Sequence, residues 1–232
     1  MKIQAVVTGV GGGIGSDLCQ VLSDKGIKTY GISRSGQHRD FGPGYTHLQM
    51  DIGNHPNRKH ILEQKIEKGL NNDLHLLIHN AGSLANRKFE EFVREDILSI
   101  LEINFLVPAE LTIDLMPWLR ASRMAHIVYI GSMGGFQGSI RFPGLSIYSA
   151  SKSAGSSLME SLAAEYEGQN LFFNTLALGK VETDMLQDAF PGQKGIESSV
   201  MAEFIADFSL NGYRFFNGKV LPVSAENPKL SF

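Results

Sequence analysis

Thr8-Gly9-Val10-Gly11-Gly12-Gly13-Ile14-Gly15 lies near the start of the chain, between an apolar run typical of a strand and a segment with the periodicity of a helix. Glycine lets a turn adopt positive φ and lets backbone amides come close to a ligand. A helix that begins near Ile14 would point its N-terminal amides at an anion bound over the turn. The spacing G-x-x-x-G-x-G differs from the common G-x-G-x-x-G fingerprint, but a position between strand and helix is the one that a dinucleotide-binding turn requires. We therefore predict a turn that holds a pyrophosphate, with a glycine-rich turn without a ligand as the alternative.

The rest of the chain alternates short apolar runs with longer segments of helical periodicity. Several runs are uninterrupted, as in strands covered on both faces, and the alternation favours a parallel sheet with right-handed crossovers. We predict a Rossmann-like α/β fold, with a doubly wound, mostly parallel seven-stranded sheet, helices on both faces, and a single domain over residues 1–232. The predicted strands are Ile3–Val7, Thr29–Ser33, Thr46–Met50, Leu74–His79, Ile127–Gly131, Leu171–Leu178 and Lys219–Val223. The predicted helices lie near 14–25, 56–69, 95–121, 149–167 and 198–208.

Composition and charge narrow the class of protein. With 232 residues, 43% of them hydrophobic and 19% charged, the chain can form one large core. The net charge of −3 provides no basic surface that would favour nucleic acid or an anionic membrane. Cys19 is the only cysteine, which excludes an intrachain disulfide and a thiolate metal cluster, and we expect no metal. The chain opens on a strand-like run without a secretory signal pattern, and no apolar run is long enough for a membrane span, so we expect a cytoplasmic location.

A second informative stretch, Tyr148-Ser149-Ala150-Ser151-Lys152, lies far downstream of the glycine turn. Residues four apart share one face of a helix, so a helix that begins near Tyr148 would place Lys152 beside the phenol. A free tyrosine has a pKa of about 10, and a neighbouring ammonium favours the phenolate, so we expect the pKa of Tyr148 to be lowered. A group with such a pKa can act as a general acid or base. The pattern alone is common on solvated helix faces, and its weight comes from its combination with the glycine turn.

These two stretches, together with four shorter motifs, resemble the short-chain dehydrogenase/reductase family in its short form, over essentially the whole chain. The family's first motif, T-G-x-x-x-G-x-G, is matched by Thr8, Gly9, Gly13 and Gly15. The other motifs are an acidic residue after the third strand, N-A-G after the fourth, a helix asparagine, a serine after the fifth strand, and Y-x-x-x-K. The residues at these positions are Asp51; Asn80, Ala81 and Gly82; Asn104; Ser132; and Tyr148 with Lys152. Taken one at a time, each also has an ordinary interpretation as a turn residue, a helix residue or a polar strand end.

The resemblance implies an oxidoreductase that interconverts a carbonyl compound and a secondary alcohol with a nicotinamide cofactor. Tyr148 would donate a proton to the carbonyl oxygen in reduction and remove one from the alcohol in the reverse direction. Ser132 would orient that oxygen, Lys152 would lower the pKa of Tyr148 and bind the nicotinamide ribose, and Asn104 would hold a water that links Lys152 to solvent. The hydride transfer itself belongs to the cofactor. The residues expected to contact the cofactor are Thr8, Gly9, Gly13, Ile14, Gly15, Ser33, Arg34, Asp51, Ile52, Asn80, Ala81, Gly82, Tyr148, Lys152, Gly179, Val181 and Thr183.

The end of the second strand decides which nicotinamide cofactor is preferred, because it lies beside the adenosine ribose. A carboxylate there would bind both ribose hydroxyls and repel a 2′-phosphate. The chain instead has Ser33, Arg34 and Ser35, and a guanidinium can bind a phosphate through two hydrogen bonds. We predict a preference for NADP(H), with NAD(H) also usable. The preference is limited by Gly12, where many NADP-preferring relatives carry a basic residue, and the alternative is that Arg34 is a solvated loop residue.

The chain departs from the family pattern at three places. Leu178 replaces a proline that usually precedes Gly179, Ser132 and Tyr148 are 16 residues apart rather than the usual shorter spacing, and the D-G-G ending is missing from Ser224–Phe232. Loops are predicted at Ser35–Tyr45, Met133–Ile147 and Gln187–Glu197. The last two follow late strands and are the expected substrate walls. The apolar residues expected to line the cleft are Met133, Phe136, Phe142, Leu145, Met185 and Phe190.

This lining favours an apolar or aromatic carbonyl compound or alcohol as the small-molecule substrate, with packing within the loops as the alternative for some of these residues. By resemblance we expect a homo-oligomer, a tetramer, and no nucleic-acid or membrane partner. The helix near 149–167 carries small residues that permit close packing, namely Ala154, Gly155, Ser156, Ser157, Ala163 and Ala164. The alternative function is a cofactor-sensing regulatory protein on the same fold, although such proteins usually lack the tyrosine or the lysine. A nucleotide-sugar epimerase or dehydratase would be longer and would have a different glycine spacing.

Overall fold

The computed structural model describes residues 3–34, 39–53, 58–66 and 73–224, and within these ranges the chain forms an alternating series of strands and helices. The strands are β1 (Gln4–Thr8), β2 (Lys28–Ser33), β3 (Tyr45–Gln49), β4 (Leu76–His79), β5 (Ala125–Ser132), β6 (Leu171–Leu178), β7 (Val181–Glu182), β8 (Ile196–Glu197) and β9 (Lys219–Val223). The helices are α1 (Gly13–Asp24), α2 (Arg58–Ile66), α3 (Arg94–Leu101), α4 (Val107–Ala121), α5 (Ser146–Glu165), α6 (Asp184–Ala189) and α7 (Ser198–Asn211).

The long strands form one parallel sheet in the order β3-β2-β1-β4-β5-β6-β9, and β7 pairs with β8 in a separate short ladder. The chain runs from β1 outward to β3 and then returns to β4, on the other side of β1. The strand order therefore reverses between β1 and β4, and in open α/β sheets ligands bind outside the carboxyl ends of strands at such a point. The predicted fold class, a doubly wound Rossmann-like sheet with helices, is confirmed.

Each face of the sheet is buried by its own apolar core. Successive residues of β1 alternate between the two cores: Val6 packs in the core that includes α4 and α5, and Val7 packs in the core that includes α1 and α7. The uninterrupted apolar runs noted in the sequence follow from this double coverage. Cys19 is buried in the second core, and burial raises the pKa of its thiol to about 12. In the part of the chain that the structure describes, no helix is both long and apolar enough to cross a membrane.

The single helix predicted near 95–121 is instead formed by α3, a π-helical turn over Glu102–Leu106, and α4. Pro108, in the first turn of α4, has no N–H and so cannot donate to the carbonyl four residues earlier, that of Asn104. Periodicity missed this interruption, because the apolar spacing continues through it.

Two of the departures from the family pattern have visible consequences. Leu178 is in register with both Ser132 and Val223, so the pairing of β6 with its two neighbours extends to the position where the family has a proline. β9 forms the edge strand of the sheet in parallel register with β6, although the D-G-G ending is missing. Ser35 and residues 225–232, which also carried predictions, lie outside the described ranges.

Candidate active site

The glycine turn between β1 and α1 is held in a shape that larger residues would disturb. Gly9 has a φ of 74°, and a Cβ added to it would lie 2.7 Å from the Ala81 Cα. A Cβ on Gly15 would lie 2.2 Å from the Gly9 carbonyl oxygen. By contrast, a Cβ on Gly12 would meet nothing within 4 Å, so space is open above the middle of the turn. The turn therefore has the form of a cradle beside the N-terminus of α1, which suits an anion.

Thr8 and Asn80 fasten this turn to the end of β4. The Thr8 hydroxyl oxygen accepts hydrogen bonds from the backbone amides of Asn80 and Ala81, at 3.1 and 3.0 Å. The Asn80 side-chain amide donates to the carbonyl oxygens of Thr8 and Gly9, at 3.0 and 3.1 Å. Both side chains thus stabilise the turn, the structural role that we gave as the alternative for Asn80.

The end of β2 places Ser33 and Arg34 on the side of the sheet away from β4. The Ser33 hydroxyl shares a 2.9 Å hydrogen bond with His47 Nε2, and the Arg34 side chain is exposed. After β3, Asp51 is exposed and its Oδ1 accepts a hydrogen bond from the Gly53 amide at 3.2 Å, whereas Ile52 is buried. Sequence reasoning missed His47, whose contact with Ser33 depends on the pairing of β2 with β3.

Ser132, Tyr148 and Lys152 come together where β5 ends and α5 begins. The Ser132 hydroxyl lies near enough to the Tyr148 phenol to lower its pKa, and the Ser132 hydroxyl oxygen accepts a hydrogen bond from the Gly134 amide at 3.1 Å. Lys152 Nζ donates to the Ile130 carbonyl oxygen at 2.8 Å and lies 6.0 Å from the centroid of the Tyr148 ring. Tyr148 and Lys152 are both buried.

Asn104 lies in the π-helical turn behind Lys152. Its Oδ1 accepts from the Ser83 amide at 2.9 Å, and its Nδ2 donates to the Ser83 carbonyl at 2.8 Å and to the Ser151 hydroxyl at 2.9 Å. A Cβ added to Gly82 would lie 3.4 Å from Lys152 Nζ and 3.5 Å from Asn104 Oδ1. The fourth predicted active-site residue is therefore close to the lysine, and Ser83 and Ser151, which sequence reasoning missed, fix its side chain.

The pKa of Tyr148 does not change in the direction that we expected. Burial raises this pKa above the ordinary value, and the nearby Ser132 hydroxyl acts in the opposite direction. The expectation was wrong because burial disfavours the phenolate, and the Lys152 ammonium, which donates to the Ile130 carbonyl, does not offset that effect. Burial lowers the pKa of Lys152 to about 8. It also lowers the pKa of His79, which lies at the end of β4, to about 3.

The segment after β6 closes the site over the glycine turn. Val181 is buried and pairs with Ile196, whose amide donates to the Lys180 carbonyl oxygen at 3.0 Å. Thr183 caps α6 by accepting a hydrogen bond from the Leu186 amide at 3.3 Å. A Cβ added to Gly13 would lie 3.0 Å from the Thr183 Cγ2, so this threonine reaches the glycine turn.

Three segments near Tyr148 are tied to one another. The Asn86 side-chain amide donates to the Ala189 carbonyl at 2.8 Å, and the Arg87 amide donates to the Gly144 carbonyl at 3.2 Å. The loop after β4, the long loop before α5 and the end of α6 thus form continuous walls. Of the six apolar residues expected in the cleft, Leu145 is buried at the start of α5, while the others keep some exposure. Leu145 therefore belongs to the packing of the loop.

Comparison with known proteins agrees with this geometry. The family model for short chain dehydrogenases matches residues 4–194. The chain belongs to the short-chain dehydrogenase family. As a member, it is an oxidoreductase that acts on CH–OH or C=O groups with NAD(P).

Among the relatives of this short-chain dehydrogenase is a tropinone reductase homolog from Datura stramonium, 31% identical over 207 residues, which are 84% of this chain and 76% of the relative. A protein described as an NAD(P)-dependent gluconate 5-dehydrogenase from Beutenbergia cavernae, solved with NADP, has a TM-score of 0.84 at 23% identity, over 96% of this chain and 95% of that one. The 3-ketoacyl-(acyl-carrier-protein) reductase of Brucella melitensis, solved with NADH, has a TM-score of 0.81 at 21% identity, over 95% and 96% of the two chains. At these identities the two structures show the shared fold.

Proposed function

We propose that this short-chain dehydrogenase prefers NADP(H) and interconverts a carbonyl compound and a secondary alcohol, with Tyr148 as the general acid and base. The observation that carries the proposal is the proximity of the buried Tyr148 phenol to the Ser132 hydroxyl, with Lys152 one helical turn further on. This group lies at the same edge of the sheet as the glycine turn, since both follow the carboxyl ends of parallel strands. A substrate oxygen placed between the two hydroxyls would be in reach of both.

Each residue then has a defined role. In reduction, the Tyr148 hydroxyl donates its proton to the carbonyl oxygen while the Ser132 hydroxyl donates a hydrogen bond to the same atom. In oxidation, the Tyr148 oxygen accepts the proton of the alcohol. Lys152 uses one of its three N–H groups on the Ile130 carbonyl and keeps two for ribose hydroxyls. The bound nicotinamide supplies or takes up the hydride.

The residues that would hold the cofactor fit a dinucleotide. The open space above Gly12 and the N-terminus of α1 suit the pyrophosphate, and the backbone at Ala81 and Gly82 lies between the turn and Lys152. Asp51 and Ile52 are proposed for the adenine, and Gly179, Val181 and Thr183 for the nicotinamide end.

Turnover is tested first by following oxidation of NADPH with a panel of apolar and aromatic ketones and aldehydes. Tyr148→Phe removes one hydroxyl and keeps the ring, so we expect turnover to fall by about 100- to 10,000-fold or more while cofactor affinity stays nearly unchanged. Tyr166→Phe, at the other end of α5, is the matched control and should keep wild-type turnover. Wild-type turnover in the Tyr148→Phe protein would refute the acid–base role. Cofactor binding by a wild-type protein that turns over no compound of the panel would favour the sensing alternative.

The cofactor preference rests on Ser33 and Arg34 at the end of β2. The exposed guanidinium can bind a 2′-phosphate through two charge-assisted hydrogen bonds, and the Ser33 hydroxyl adds a polar group beside it. We expect a higher kcat/KM for NADPH than for NADH. The double substitution Ser33→Asp and Arg34→Gln should move the ratio of kcat/KM for the two cofactors toward NADH. The control is Arg123→Gln, which lies just before β5 at the amino ends of the strands and should leave the ratio unchanged. Equal values for both cofactors in the wild type would refute the preference.

We also propose a homotetramer, although the small residues of α5 do not all support it. Gly155, Ser156 and Ala163 are buried within the protomer, so they serve its own packing. The support comes instead from exposed apolar side chains, such as Ile113 on α4 at 70% exposure and Phe215 after α7 at 78%. Light scattering at micromolar concentration should give the mass of four chains, and a monomer would refute the proposal.

A further inference from the structure

The Asn104 carbonyl has an unusual partner. Because Pro108 cannot donate to it, this buried oxygen needs another donor, and it accepts a 2.8 Å hydrogen bond from the hydroxyl of Tyr129 on β5. The side-chain oxygen and nitrogen of Asn104 are already bonded to Ser83 and Ser151. The Tyr129 hydroxyl thus donates to the backbone carbonyl of Asn104, and this hydrogen bond joins the π-helical turn to the sheet.

The Tyr129 ring lies in a space that the sequence provides for it. Tyr129 is completely buried, and a Cβ added to Gly155 on α5 would lie 2.4 Å from the Tyr129 Cζ. Alanine at position 155 would therefore displace the ring. Lys152 is three residues before Gly155 on the same helix, and its Nζ lies 5.0 Å from the centroid of the Tyr129 ring. This distance is within the range in which the face of an aromatic ring attracts an ammonium.

We propose that Tyr129 is a positioning residue of the active site, whose ring holds the Lys152 ammonium in its charged form while its hydroxyl fixes the ring against Asn104. The proposal rests on the proposed function only for its consequence, because Lys152 serves turnover only if the tetrad is catalytic. The attraction between ring and ammonium is a property of the protein without substrate.

The other titratable groups near Lys152 do not stabilise its ammonium, so we assign this role to the Tyr129 ring. In the described part of the chain, the titratable groups near Lys152 are Tyr148 on its own helix, Tyr129 on β5 and His79 on β4. Among the residues that the structure describes, no salt bridge joins Lys152 to a carboxylate. His79 is neutral at working pH, since burial and the charge of Lys152 lower its pKa to about 3. Burial favours the neutral amine of Lys152, and the Tyr129 ring and the Ile130 carbonyl oppose that effect.

The test is a direct titration of Lys152 by NMR in protein labelled with 13C at the lysine Cε, with Lys152→Arg to assign the signal. Burial alone would set the midpoint at about 8, and we expect the wild-type midpoint to lie above that value because the Tyr129 ring stabilises the ammonium. Tyr129→Phe keeps the ring above Gly155 and should titrate close to wild type. Tyr129→Leu removes the ring and should lower the midpoint by on the order of one pH unit. Tyr166→Leu, which removes a tyrosine that packs against the same core, should leave the midpoint unchanged.

A wild-type midpoint in folded Tyr129→Leu would overturn the proposal. Should that variant fail to fold, Gly155→Ala decides in its place, because the added methyl displaces the ring and should also lower the midpoint. The titration needs neither cofactor nor turnover. If the midpoint shifts in Tyr129→Leu but the wild type has no turnover, the role of Tyr129 is supported and only the proposed function is refuted. If the midpoint is unchanged but the wild type is active, only the role of Tyr129 is refuted.

Discussion

Replacing Gly9 by alanine tests two reasons for a glycine at this position, the backbone conformation and the close approach of Ala81. The backbone of Gly9 has a φ of 74°, a conformation that costs an L-residue about 1 to 2 kcal/mol. The new Cβ would also lie 2.7 Å from the Ala81 Cα and 2.9 Å from its amide nitrogen, which are backbone atoms that cannot rotate away. Overpacking of this kind costs about 1 to 3 kcal/mol. We therefore expect Gly9→Ala to lower the free energy of unfolding by about 2 to 5 kcal/mol.

Two further glycines serve as matched controls. Gly26 has a φ of 72° with nothing within 4 Å of an added Cβ, so Gly26→Ala measures the backbone cost alone, about 1 to 2 kcal/mol. Gly12 has an extended φ of 176° and open space around an added Cβ, so Gly12→Ala should leave stability almost unchanged. Urea unfolding followed by circular dichroism gives all three values. If Gly9→Ala were no more destabilised than Gly26→Ala, the close approach to Ala81 would not be a real constraint.

Three other expectations can be measured on the same protein. Lys152→Ala should reduce both turnover and cofactor affinity, seen as a lower kcat and a weaker Kd for NADPH, because one side chain serves both; a change in kcat alone would contradict the ribose contact. Gly12→Arg places a second cation in the open space above the turn and should raise the ratio of kcat/KM for NADPH over NADH; an unchanged ratio would mean that the 2′-phosphate lies elsewhere. Burial lowers the pKa of His126 to about 4, so between pH 7 and pH 5 this residue takes up a proton in the unfolded chain but not in the folded chain, and its own contribution to the fall in the free energy of unfolding should be about 2 kcal/mol. His126→Asn should flatten that slope, and an equal slope in the variant would assign it to other groups.

The fold was predictable because its strongest signals are local. The apolar runs that became β1, β4, β5 and β6 are buried on both faces, and that double burial is what makes them uninterrupted in the sequence. The interruption of the helix near residues 95–121 was not predictable from periodicity. Pro108 lies inside the predicted helix, where a proline interrupts the hydrogen-bond ladder, so it was a signal of a break that periodicity did not show, although it did not specify a π-helical turn.

The candidate site was predictable in its members but not in its hydrogen bonds. The motifs place Ser132, Tyr148 and Lys152 at one sheet edge, and the structure brings them together there. The Lys152 ammonium donates to the buried carbonyl of Ile130, and the position of that carbonyl is a feature of strand geometry that no motif encodes. The same holds for Thr183, whose proximity to Gly13 depends on the path of the chain after β6.

Tyr129 shows why such contacts escape a reading by motifs. In the sequence it is one more large residue in an apolar strand, and Gly155 is one more small residue in a helix. Their relation appears only when β5 and α5 pack together, where the missing side chain of Gly155 makes room for the Tyr129 ring beside Lys152. The absent N–H of Pro108 is the third part, since it leaves the Asn104 carbonyl to the Tyr129 hydroxyl. Gly155 contributes because it has no side chain, and Pro108 contributes because it has no N–H. A search for chemically active residues therefore passes over them, although they determine where the charge of Lys152 is held.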